Sequence, residues 1–172
     1  PVTVSNPYRV MSKKNVELAM IEALEKDNIA TLDLIYESRP TMANWMIEAE
    51  GSGIGDQPIT TPAVFYAVAG SGKSLQWMMD RGADLRAEGN FSIGPVAAFA
   101  ASKGKSDMVE TILQRLRIDD MPATMGSLNF DGLGAVMRHY GYAEAAAAFD
   151  KRTSRPPTPP RVLTTPWSVL DV

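Results

Sequence analysis

The chain has 172 residues, enough for one domain with a real core. An apolar share of 45%, a charged share of 22% and a net charge of −3 suit a globular protein and lack the positive excess of a nucleic-acid binder. The absence of cysteine excludes disulfides, thiol catalysis and thiolate metal sites, and a lone His139 without an HExxH-like pair leaves no metal or cofactor motif.

The first segment, residues 1–11, reads as an N-terminal extension without the charged-then-apolar pattern of a signal peptide. No apolar run approaches the ~18 residues of a membrane span. The expected location is cytoplasmic, or a host cytosol reached without an ordinary leader. Helical periodicity then begins. Leu18 to Ala23 and Thr31 to Ile35 form a helix pair, with Asp27 or Asn28 at the turn. Residues 37–60 read as a short helix around Met42, Trp45, Met46 and Ile47, followed by a flexible loop at Gly51 to Asp56.

Two segments further on echo each other. Thr61-Pro62 to Gly70 is followed by Ser71 to Arg81 and Gly82-Ala83-Asp84. Gly94-Pro95 to Gly104 is followed by Lys105 to Leu113. Gly70 and Gly104 stand 34 residues apart. Each segment predicts a helix, a glycine turn with positive φ, and a second helix, with Pro62 and Pro95 in first turns. A last pair, Asp131 to His139 and Ala143 to Phe149, turns at Tyr140-Gly141-Tyr142. The expected core includes Leu24, Leu32, Ile35, Ala67, Leu75, Met78, Ala100, Val109, Leu113 and Val136. Trp77 is expected in the core, Trp45 at a core contact and His139 at a helix end.

On Thr61-Pro62, Gly70, Gly82-Ala83-Asp84 and Gly104 followed by Asp107-Met108-Val109, the chain resembles the ankyrin-repeat family, whose period is about 33 residues. The likeness is good over residues 60–116, weaker over 16–36 and 121–150, and absent from the tail. It implies an all-α fold of about four stacked helix-turn-helix repeats over residues 12–152, with little regular strand. It also implies a protein–protein interaction module rather than an enzyme. A bacterial effector or immunity-type protein is one biological setting for so short a repeat chain. The family binds partners through finger tips and the adjoining ends of first helices. Carried over, that implies a protein-binding set of Gln57, Ile59, Val68 and Ala69 in one unit, and Asn90, Phe91, Ile93, Ser102 and Lys103 in the next.

One motif points elsewhere. Ala67 to Ser74 satisfies a phosphate-loop pattern if alanine is allowed at its first position. A nucleotide-binding kinase or NTPase would use Gly72-Lys73-Ser74, with lysine on the phosphates and serine on Mg²⁺. Against this, Gly-Lys-Ser recurs at Gly104-Lys105-Ser106 as a repeat turn would, and no first strand precedes the motif.

Residues 153–172 carry five prolines and read as an extended tail. Pro156, Pro159 and Arg161 have the PxxPxR spacing of a ligand for an SH3-like module. Alternatively the tail lies along its own repeats, with Trp167 and Leu170 covering the end face of the last unit.

Overall fold

The computed structural model describes residues 5–49, 57–116 and 132–152. These are mostly helical. The chain runs through α1 (Lys13–Glu25), α2 (Ile29–Ser38), β1 (Met46–Ala49), β2 (Ile59–Pro62), α3 (Lys73–Asp80), α4 (Val96–Ser102), α5 (Ser106–Arg115), α6 (Gly132–His139) and α7 (Ala143–Arg152). The two strands form a two-stranded sheet. The chain divides into two compact units, residues 1–48 with 62–84, and residues 49–61 with 85–172.

Helix starts follow local chemistry. The Ser12 hydroxyl accepts from Asn15 N at 3.2 Å, and the Asn28 side chain accepts from Thr31 N at 3.2 Å, each satisfying an orphan N–H of a first turn. Pro62 and Pro95, expected in first turns, instead stand one position earlier, as the residues that precede their helices. Helix ends share one device. After α1, α3, α4 and α6 a residue with positive φ (Asp27, Gly82, Gly104 and Gly141) reverses the chain. The next N–H then reaches back five residues: Asn28 to Ala23 O at 2.8 Å, Ala83 to Met78 O at 3.1 Å, Lys105 to Ala100 O at 3.0 Å and Tyr142 to Met137 O at 2.9 Å. This Schellman closure satisfies helix-end carbonyls and needs the left-handed conformation that glycine adopts freely.

In the first unit, α1 packs on α2 and on a 3-10 helix at Ala63–Ala69, and α2 packs on α3. The core holds Met20, Leu24, Leu32, Ile35, Ala67, Leu75 and Met78. The Trp77 indole N–H donates to Asp33 Oδ1 at 2.8 Å. The Arg81 guanidinium lies 4.0 Å from the Trp77 ring centre and also reaches Asp33. Trp45 is half-buried, with the Lys13 ammonium 5.0 Å from its ring centre.

The N-terminal stretch is tied to α2. Buried Asn6 donates to Leu34 O at 2.6 Å, and Arg39 donates to Met11 O at 2.6 Å.

In the second unit, α4 pairs with α5 and α6 with α7, while α4 packs on α6 and α5 on α7. Ala97, Ala98, Ala100 and Ala101 are buried, so small side chains let these helices approach closely. Arg138 and Asp150 form an ion pair in which Asp150 is buried and Arg138 is largely covered. Gly134 makes room for it, since a Cβ there would lie 3.0 Å from Asp150 Oδ1.

All ten core residues expected from periodicity are buried. Three local expectations are corrected. Met42–Asn44 is a single 3-10 turn, and Met46 and Ile47 lie in β1 rather than in a helix. Ala63–Ala69 is 3-10 rather than α. That winding rises about 2.0 Å per residue against 1.5 Å, which suits a segment pinned at both ends: Ala63 N donates to Trp45 O at 2.9 Å, and Ser71 N is held by Asp27. Gly70 has φ −82°, so the left-handed residue of that turn is Gly72, at φ 110°. The loop expected at Gly51 to Asp56 and the tail, with Trp167 and Leu170, lie outside the described residues.

Removing one partner of a buried ion pair strands the other charge. Asp150→Ala should therefore cost about 3–5 kcal/mol in urea unfolding. A loss below about 1 kcal/mol would show that Arg138 does not depend on this carboxylate.

Candidate functional site

Among the described residues, two places that concentrate polar chemistry stand out, one in each unit. The first is the N-terminus of α3. Asp27 occupies the left-handed turn position after α1, where the other three closures use glycine. Aspartate tolerates that backbone, and its side chain does what glycine cannot. Its carboxylate accepts from Ser71 N at 2.6 Å and from Ser74 N at 2.9 Å. The Ser74 hydroxyl lies 2.8 Å from Asp27 Oδ1 and 2.6 Å from Leu24 O, and offers its one proton to both. Helix N-termini favour negative charge because their N–H groups lack intrahelical acceptors. Partial burial pushes the Asp27 pKa up, but the hydrogen bonds from Ser71 and Ser74 outweigh it and lower the pKa from 3.8 to about 2.

The carboxylate also explains Gly70. A Cβ there would lie 2.6 Å from Asp27 Oδ1. Gly70 thus serves close approach rather than positive φ. The Gly70-to-Ser74 turn has the anion-binding geometry its sequence suggests, and the anion it holds is its own Asp27. Ser74 is fully buried, and Lys73 is exposed at the first position of α3.

The second place is a pair of loops in the second unit, around residues 57–61 and 89–95. Asn90 ties them together. Its side chain accepts from Thr60 N at 2.9 Å and donates to Pro58 O at 2.7 Å, while its own N–H donates to Thr60 O at 3.2 Å. Gly89 lies so close that a Cβ would sit 2.4 Å from Thr60 O. Ser92 closes the turn, accepting from Gly89 N at 2.9 Å. Neither loop contains a charged residue. Phe91 projects from the clamped turn with 37% of its surface exposed.

The residues that the family resemblance implied for binding divide accordingly. Gln57, Ile59, Asn90, Phe91 and Ile93 belong to this loop pair, with Gln57, Asn90 and Phe91 exposed and Ile59 and Ile93 half-buried. Asn90 spends its amide on the loop backbone and so shapes the surface. Ser102 and Lys103 are exposed at the far end of α4, about 10 Å of helix from its start. Val68 is a correction: at 1% exposure its side chain is core, because the 3-10 helix turns it inward. Ala69 is exposed in the first unit. Pro156, Pro159 and Arg161 lie outside the described residues. His139 ends α6, with its ring 5.0 Å from that of Tyr140. No group of acidic or histidine side chains among the described residues could hold a metal ion. No helix of the described residues is long and apolar enough to cross a membrane.

No family model, no curated protein and no solved structure matches the chain.

A carboxylate favoured by folding gives stability that is full above its unfolded pKa near 4 and is lost as pH falls toward 2. Asp27→Asn keeps the turn and removes the charge. At pH 7 it should lower stability by about 1–2 kcal/mol after allowance for partial exposure, and the gap should close by about pH 2. Urea unfolding across that range checks it; parallel profiles for the two proteins would refute the assignment.

Proposed function

We propose that the chain is an ankyrin-type repeat module that binds a partner protein, and that the loop pair of the second unit forms the contact surface. The observation that carries this reading is Phe91, a large apolar side chain exposed on a turn fixed by Asn90, Gly89 and Ser92. Exposed aromatic groups on uncharged, pre-ordered surfaces suit the centre of protein interfaces, where charge is depleted and rigid aromatic anchors supply most of the affinity. Asn90 adjoins Phe91 and Gln57 is exposed in the facing loop, both neutral and polar, so the fitting partner presents an apolar pocket with a polar rim. Helix pairs packed first on first and second on second in the second unit, and the recurring turn closures, support the repeat class.

Nucleotide binding at Gly72-Lys73-Ser74 is the alternative. The motif spacing favours it. Asp27 weighs against it, because its carboxylate already engages the N–H groups of Ser71 and Ser74 and would repel phosphate.

Phe91→Ala should weaken binding to a partner captured by the wild-type chain by about tenfold or more, the scale of an interface anchor. Its melting temperature should stay within a few degrees of wild type. Lost stability with unchanged affinity would assign Phe91 to packing instead. Calorimetric titration with ATP and Mg²⁺ should give no micromolar binding. Micromolar binding abolished by Lys73→Ala would replace the interaction reading with the nucleotide one.

A further inference from the structure

Helices α5 and α7 enclose an open groove of about 380 Å³ in the second unit. Its floor is apolar, with Leu113 and Phe149 at the base and Ala145 and Ala148 along α7. Its rim carries Glu110 and Glu144, both exposed, and among the described residues no lysine or arginine lines it. Among the described residues neither carboxylate has a hydrogen-bond or ion-pair partner. The chemistry is that of a receptor for an extended apolar segment bearing a positive charge.

The chain carries such a segment immediately after α7 in sequence. Residues 153–172 leave directly from the end of α7, and Pro156 to Arg161 supplies apolar rings spaced for a polyproline helix, followed by arginine. Reach is sufficient. From Arg152 back to Glu144 is about 12 Å of helix. From Arg152 to Arg161 an extended proline-rich chain spans up to about 28 Å. Tethering makes the encounter intramolecular, at an effective concentration in the ~mM range. We propose that the α5–α7 groove is the docking site of the chain's own Pro156–Arg161 segment, with the proline rings on Ala145, Ala148 and Phe149 and the Arg161 guanidinium between Glu110 and Glu144. Docked in this way, the PxxPxR segment is withheld from outside modules that recognise polyproline helices, so the groove regulates its display.

The chain has no cysteine, so two introduced thiols report on each other alone. Ala148→Cys combined with Thr158→Cys places one thiol in the groove and one in the segment. Under mild oxidation at micromolar protein, a disulfide within one molecule should form readily. Adding Glu110→Lys and Glu144→Lys should slow it about fivefold, as expected for losing two exposed charge pairs. Further adding Arg161→Glu should restore the rate. Residues 110, 144 and 148 are exposed, so folding should be kept, which circular dichroism of each variant verifies. Equal rates in all three backgrounds would mean a freely diffusing tail and overturn the proposal. Disulfides formed only between molecules would assign the groove to a second copy. An SH3 domain that captures the parent chain and its charge-reversed variant equally well would also overturn it, since a docked segment should be captured less.

Discussion

A single carboxylate organises the first unit. Asp27 sits where α1 turns into α2, in backbone that glycine fills in the other three closures, and its side chain reaches the first turn of α3. It joins segments 44 and 47 residues apart in sequence. Much follows from it. Gly70 must lack a Cβ, Ser74 is buried with its hydroxyl committed, and the 3-10 helix is fixed at its far end. The contact is favourable twice over, because ionised oxygen meets N–H groups that would otherwise lack acceptors and lies at the positive end of a helix dipole. The same contact occupies the N–H groups of Ser71 and Ser74 in the turn whose sequence resembles a phosphate loop.

The second unit uses the same device with different atoms. Asn90 plays for the loop pair the part that Asp27 plays for α3: a short polar side chain satisfies backbone groups of a distant segment. A neutral amide serves because it must both donate and accept, whereas the helix start offers only donors. With the loop backbone satisfied internally, Phe91 is presented on a fixed turn. The contact surface proposed for this loop pair, prepared in this way, would lose less entropy on association.

What the sequence disclosed and what it hid divide along a physical line. Apolar periodicity marks burial, and Leu24, Leu75, Val109 and Val136 lie in the core as their spacing requires. Glycine closures at Gly82, Gly104 and Gly141 were legible because positive φ selects residue type locally. Gly70 carried the same letter for a different reason, and only the carboxylate beside it reveals that reason. The roles of Asp27, Asn90, Asn6 and Arg39 depend on hydrogen bonds to backbone some 28 to 47 residues away. Such bonds leave no periodic trace. Of the surface, Phe91 is named only through the family resemblance, and it is exposed in the structure. Val68, implied for binding by the family resemblance, lies in the core as part of a seven-residue 3-10 helix, whose side chains are placed differently from those of an α-helix.

The role of Asp27 can be read directly from its own titration. Carbon-detected nuclear magnetic resonance of the Asp27 carboxyl, with the Ser71 and Ser74 amide protons followed in the same samples, reports the charge and its acceptor bonds together. A midpoint at about 2, with both amides moving in step, is the predicted result. A midpoint near the ordinary aspartate value of about 3.9, with the two amides unmoved, would contradict it.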